Sequence, residues 1–138
     1  MADKPVLSVS IVTPDGRVYE QKGDFLIVTT TYAPMGILPN HVPVLATLKV
    51  DEVRFKHDGE QDRIAVNGGF IEFSNNVATI VADSAERQAD IDVSRAQSAQ
   101  ERAKKAIEKA KAEKDPDTLA RAEVALRRAI NRINVANH

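Results

Sequence analysis

Apolar residues follow two different rhythms along this chain. From Leu7 to Thr13 (LSVSIVT), Leu7, Val9 and Ile11 alternate with polar neighbours, the period of a half-buried strand. Pro14-Asp15-Gly16 then turns the chain. Phe25 to Thr31 (FLIVTTT) is β-branched and apolar, as a buried strand is. Val53–Phe55 and Arg63–Val66 flank HDGE, with Asp58-Gly59 as a hairpin signal. Phe70–Phe73 and Val77–Ala82 flank Ser74-Asn75-Asn76 in the same way. Short strands at this spacing predict an antiparallel β-sandwich or flattened barrel over residues 1–88.

After residue 88 the rhythm is helical. Ala96, Ala99, Ala103, Ala106 and Ala110 recur at three- and four-residue steps, and Leu119, Ala122, Leu126, Ala129, Ile133 and Ala136 resume them. Asp115 before Pro116 makes an N-cap and first-turn pair, so a short loop separates two helices. One apolar stripe on each helix and a short connection predict an antiparallel hairpin over 89–138, and with it an α+β chain of two domains. The stripe of the first helix is alanine. A methyl buries far less area than a leucine side chain, so the seam is expected to be weak, and strong intrinsic helicity lets each helix persist when it opens.

The 138 residues carry a formal charge of −1, but the charge is unevenly divided. Residues 1–88 hold 12 acids and 8 bases, and residues 89–138 hold 8 acids and 11 bases. All six glycines precede residue 88. Without cysteine there are no disulfides, no thiolate catalysis and no Cys-ligated zinc. No apolar run reaches the roughly 18 residues that cross a bilayer, so membrane association is expected through partners and not by insertion. The opening MADKPVLSVS lacks the apolar core of a signal peptide and is read as belonging to a protein made where it works. His41, His57 and His138 have no ligand spacing, and His41, between Pro39 and Pro43, is read as structural. Gly68-Gly69 has neither a P-loop lysine nor a following helix and is read as a backbone bend. With no nucleophile, base pair or metal set in the pattern, the chain is expected to be non-catalytic.

Candidate chemistry lies instead on one edge of the hairpin. With Ala96 as heptad position a, Arg95 and Arg102 fall at g; with Leu119 as a, Arg132 falls at g and Arg121 and Arg128 at c. Lys105 and Lys109 share that flank, which carries no acid. An exposed helix usually mixes signs, so a one-signed edge calls for an external anion. The antiparallel turn sets the start of the first helix beside the end of the second, bringing Arg95 and Arg102 toward Arg128 and Arg132. Guanidinium forks from two helices suit a polyphosphate. Asp92 either caps the first helix or accepts a hydrogen bond from a base or sugar, Glu86 upstream has the same option, and Ile91 and Ala96 offer an apolar wall for a ring. A solvated face, an acidic protein surface or a nucleic-acid backbone would satisfy the same charges. No aromatic residue lies beyond residue 88, which argues against single-stranded nucleic acid.

Three segments carry a family resemblance: VSIVTPDGRVYE (Val9–Glu20), GILPNHVPVLATL (Gly36–Leu48) and RIAVNGGFIEF (Arg63–Phe73). In that order, before a helical hairpin, they resemble the epsilon subunit of bacterial F-type ATP synthases over essentially the whole chain. The resemblance implies a non-catalytic central-stalk subunit. Its sandwich would bind the gamma subunit and the c-subunit ring at the cytoplasmic face of the cell membrane. Its helices would extend toward the catalytic alpha/beta hexamer and oppose ATP hydrolysis. Some members hold ATP, unhydrolysed, on the folded hairpin through an Ile/Leu-Asp-x-x-Arg-Ala motif. Ile91-Asp92-Val93-Ser94-Arg95-Ala96 matches it fully, and Glu86, Arg102, Arg128 and Arg132 match the further positions. The alternatives are a purely structural coupling subunit and a basic hairpin that binds nucleic acid.

Overall fold

A computed structural model describes residues 4–138, which divide into two compact units, one ending at Gln88 and the other running Ala89–His138. The first unit contains β1 (Leu7–Thr13), β2 (Gly16–Gly23), β3 (Phe25–Thr29), β4 (Pro34–Ile37), β5 (Val44–His57), β6 (Glu60–Ser74), β7 (Val77–Ala82) and β8 (Ala85–Arg87). A short 3₁₀ turn, Gln88–Asp90, spans the boundary to the second unit, which contains α1 (Val93–Ala112) and α2 (Pro116–Ala136). The α+β architecture agrees with the sequence reading.

The strands of the first unit are not uniformly short, as their pattern suggests. β5 and β6 run 14 and 15 residues and serve both layers of the sandwich. The far half of β6 pairs β7 at Gly69–Ser74, while its near half pairs β8 at Ile64–Val66. β5 likewise pairs β3 through Arg54–Lys56. The strand order is β2-β1-β7-β6-β5-β3-β4, with β8 beside β6 and one parallel pairing, β1 with β7. The segments Arg63–Val66 and Phe70–Phe73 therefore belong to one strand, bent at Gly68 and Gly69, whose φ angles are +86° and +124°. Alternation along these strands points Leu7, Ile11, Leu26, Phe55, Ile71, Phe73 and Ile80 inward, each fully buried. Each such side chain contributes about 1.5–3 kcal/mol by leaving water.

The second unit follows the heptad reading at its seam. Ala96, Ala103 and Ala110 are the buried residues of α1, seven apart, and they oppose Ala122 and Ala129 of α2. Leu119, Leu126 and Ile133 are half-buried beside them. Asp115 caps α2, accepting from the Thr118 backbone N–H at 3.2 Å and its hydroxyl at 2.7 Å, with Pro116 in the first turn. The Thr118 bonds hold the Asp115 carboxyl below its usual pKa, so the cap weakens as pH falls into that range.

The close of α1 carries an avoidable strain. Asp115 N–H donates to the Ala110 carbonyl at 3.0 Å and Lys114 N–H to that of Lys111 at 3.3 Å, the two bonds of a Schellman motif. Lys114 sits at the left-handed position of that motif, φ +53°, where glycine is usual. Lys114→Gly should therefore stabilise the hairpin by about 0.5–1 kcal/mol, read from the helical circular dichroism signal in urea. A destabilised hairpin would show that the Lys114 side chain has a role the backbone does not reveal.

Candidate functional site

The basic edge is built on the two ends of the hairpin that its turn leaves open. α1 begins where Asp92, in extended conformation, accepts from the Arg95 backbone N–H at 3.2 Å through Oδ1. The cap role of Asp92 is thus realised, and it fixes the rotational phase of α1. That phase puts Ala96 fully in the seam, where its methyl serves helix packing, and leaves Arg95 and Arg102 exposed on the adjoining flank. Ile91, just before the cap, is buried to 9% exposure. Ser94, Gln97, Ser98 and Glu101 share a shallow groove with Arg102 along the outer face of α1.

On α2, Arg128 and Arg132 are half-buried, with their Nε atoms shielded from solvent. A guanidinium held this way loses less side-chain freedom when an anion arrives than a free surface arginine does. The heptad reading places these two residues on the flank but misses their partial burial. It also misses Asn131 and Val135, both buried. Arg121, Lys105 and Lys109 are exposed toward the turn end of the hairpin. Glu86 lies on β8, in register with Ala65 of β6, and belongs to the first unit.

Two features of the sandwich also stand out. One is an apolar surface spanning β5, β6 and β7: Leu45 is 77% exposed, Phe70 44% and Val81 36%, with Val42 and Leu38 exposed on the preceding loop. Tyr32, 97% exposed, borders a depression of about 670 Å³ that Met35, Leu45 and Phe70 also line. The alternation in Phe70–Phe73 contains this signal, since burying Ile71 and Phe73 necessarily turns Phe70 outward. The loop is held by a reciprocal pair, Asn40 N–H to Asn76 Oδ1 at 2.6 Å and Asn76 Nδ2 to Asn40 Oδ1 at 3.2 Å. His41 packs edge-on against Phe73 and its Nδ1 lies 2.7 Å from the Val42 carbonyl, a structural placement.

The other is a partly buried polar cluster. The Tyr19 hydroxyl donates to Asp62 Oδ2 at 2.6 Å, and His57 Nε2 lies 2.7 Å from the same oxygen. His57 opens the HDGE segment that signals a hairpin turn, yet it is the last residue of β5 and is buried. Burial, then the Asp62 hydrogen bond, pushes the Tyr19 phenol far above its ordinary pKa of 10. Among the described residues no cluster of His, Asp or Glu has metal-ligand geometry, and no helix is long and apolar enough to cross a membrane.

Comparison with known proteins matches both units. The beta-sandwich domain of the ATP synthase delta/epsilon chain matches residues 6–88, and the long alpha-helix domain of the same chain matches residues 89–137. The ATP synthase epsilon chain of Levilactobacillus brevis is 68% identical over 139 aligned residues, covering all of both chains. That of Pediococcus pentosaceus is 60% identical over the same span. Among solved structures, a chain of the Euglena gracilis mitochondrial ATP synthase, in an assembly of OSCP, F1 and c-ring, superposes with a TM-score of 0.80. It covers all of this chain and 85% of that one at 18% identity, a likeness of fold. Two domain matches in sequence and full-length identity of this order place the protein in the ATP synthase delta/epsilon chain family, as a non-catalytic epsilon chain of the F-type central stalk.

Proposed function

We propose that this epsilon chain is an ATP-responsive switch on the rotor of a proton-translocating F-type ATP synthase. The sandwich would couple rotation to synthesis by joining the gamma subunit to the c-ring. The exposed Leu38, Val42, Leu45 and Phe70 supply apolar surface for such contacts, and the Asn40–Asn76 pair holds it in shape. This assembly would keep the protein peripheral, on the cytoplasmic face of the cell membrane.

The helical unit is the regulator. The observation that carries this reading is a shut hairpin whose seam is alanine and whose flank is basic on both helices. ATP would be held by Arg95 and Arg102 from α1 and Arg128 and Arg132 from α2, which share its phosphates. Ile91 and Asp92 would stand at the base, while Ala96 of the same motif packs the seam and Glu86 lies a few residues upstream in the chain. The arginines offer charge to phosphate and no general base beside it, which supports the nucleotide as a ligand held unhydrolysed. Without it, guanidinium repulsion acts against a seam of small area. The helices then separate, and their basic flank meets acidic surface on the alpha/beta hexamer, opposing ATP hydrolysis. ATP shifts this balance only by preferring the shut form.

Calorimetry and thermal unfolding of the isolated chain with ATP test the regulator. Saturable heat is expected, with a rise in helix melting temperature that grows as the logarithm of ATP concentration. Neither heat nor a melting shift at millimolar ATP would end the switch while leaving the rotor role intact. Repeating the titration with and without magnesium decides whether the metal accompanies the nucleotide.

A further inference from the structure

The Tyr19–Asp62–His57 cluster lies in the sandwich, outside the ATP switch, and its geometry has a consequence of its own. Tyr19 comes from β2, at the edge of the strand order, while His57 and Asp62 come from either side of the β5–β6 turn. One carboxylate oxygen therefore ties an edge strand to a hairpin tip 43 residues away in sequence. Apolar contacts surround it: Tyr19 packs edge-on against Phe55 at 6.4 Å, and Phe55 lies 6.3 Å from the His57 ring. β2 also approaches closely at Gly23, where an added Cβ would stand 2.9 Å from the His57 Cβ.

We propose that this cluster is a pH-responsive clasp, in which protonated His57 bridges both sides of the β5–β6 turn, the platform on which Asp62 holds Tyr19 of β2, and neutral His57 lets go of the Asp58 side. Every charged neighbour of the ring enters the balance. Asp62 Oδ2 faces Nε2 at 2.7 Å from β6. Asp58 Oδ2 faces Nδ1 at 3.4 Å from the turn, with 91% of its side chain exposed. Tyr19 stays neutral and donates to Asp62, and Arg87 of β8 acts electrostatically on Tyr19. An imidazolium presents one N–H to each carboxylate. The neutral ring keeps its Nε2–H on Asp62 but turns a lone pair toward Asp58. The proton that titrates is therefore the one on Nδ1. Solvent screens the exposed Asp58, so the shorter, half-buried Asp62 contact is the stronger anchor.

The sign follows from the shift. Desolvation of the ring lowers the His57 pKa, but the hydrogen bonds to Asp58 and Asp62 and the attraction of both carboxylates outweigh it, leaving the value above 6.5. The stabilisation is complete below 6.5, the unfolded value, and is lost as pH rises through the folded value. Each unit of upward shift corresponds to about a tenfold gain in the folding constant across that window. Acidification therefore tightens the tip of the β5–β6 hairpin and alkalinisation relaxes it.

Two measurements on the full chain decide this. In proton NMR the His57 Cε1–H should titrate with a midpoint above 6.5, and Asp62→Asn should lower that midpoint more than Asp58→Asn does. In guanidinium unfolding of the sandwich, the folding constant of the parent relative to His57→Gln should be largest at acid pH and fall through the same midpoint. A His57 midpoint at or below 6.5, or a pH-independent difference between parent and His57→Gln, would overturn the clasp. Phenolate absorbance adds a structural check: the Tyr19 phenol should stay protonated until the sandwich unfolds.

Discussion

Gly69→Ala should destabilise the sandwich by about 4 kcal/mol, the sum of a strained backbone and a forced steric shift. Gly69 has φ +124°, which an L-residue rarely adopts, and its missing Cβ would stand 2.0 Å from the Val81 carbonyl oxygen and 2.8 Å from the Ala82 Cα. Both obstacles are backbone atoms of β7, so no rotamer change relieves them. Gly59→Ala is the control. It too has positive φ, +77°, but nothing lies within 4 Å of its Cβ, so the expected loss is only about 1 kcal/mol. Chemical denaturation of the two variants separates the close approach from the dihedral. Equal losses would mean that β6 and β7 move apart freely at the bend, and that the register Gly69↔Ala82 is not fixed there.

Arg95→Ala and Arg128→Ala should each weaken ATP binding by about 10- to 100-fold, the loss expected for charge-assisted bonds to phosphate, with unfolding of the sandwich unchanged. The two residues come from different helices, so a matched loss in both is the signature of one ligand shared across the hairpin. Arg128 is half-buried, and truncating it also removes packing. Arg128→Lys keeps charge and stem but not the planar fork. It should retain helix stability and still bind ATP more weakly than the parent. Unchanged affinity in Arg95→Ala and Arg128→Ala would assign the arginines to a partner surface. Asp92→Ala is a poorer probe, because its carboxylate already caps α1.

What the chain discloses before folding is what depends on neighbours in sequence. The caps at Asp92 and Asp115 and the seven-residue spacing of Ala96, Ala103 and Ala110 are local, and each is found where the pattern puts it. The basic flank follows from the same arithmetic. β5 was harder to read, because Lys49, Asp51 and Glu52 interrupt its alternation where the strand passes from one layer to the other. Gly68-Gly69 reads as a bend and is one, but the pattern does not tell that Arg63–Val66 and Phe70–Phe73 on either side of it are a single strand. β4 opens on Pro34 at a sheet edge, and β8 is three residues long; neither has a periodic signal. The His57 cluster was illegible because its partner Tyr19 is close only after folding, and Asp58-Gly59 beside it announces a turn.

The alanine ladder between α1 and α2 also sets how the hairpin responds to temperature. Parting Ala96, Ala103 and Ala110 from Ala122 and Ala129 wets a row of methyls and the half-buried Leu119, Leu126 and Ile133 beside them, far less than a full core. Heat capacity changes track hydrated apolar area, so separation should leave that quantity nearly untouched. The free-energy difference between the two arrangements then varies almost linearly with temperature, without the dome that large cores impose. Such a device would have no temperature of maximum stability, and warming would move its balance in one direction throughout.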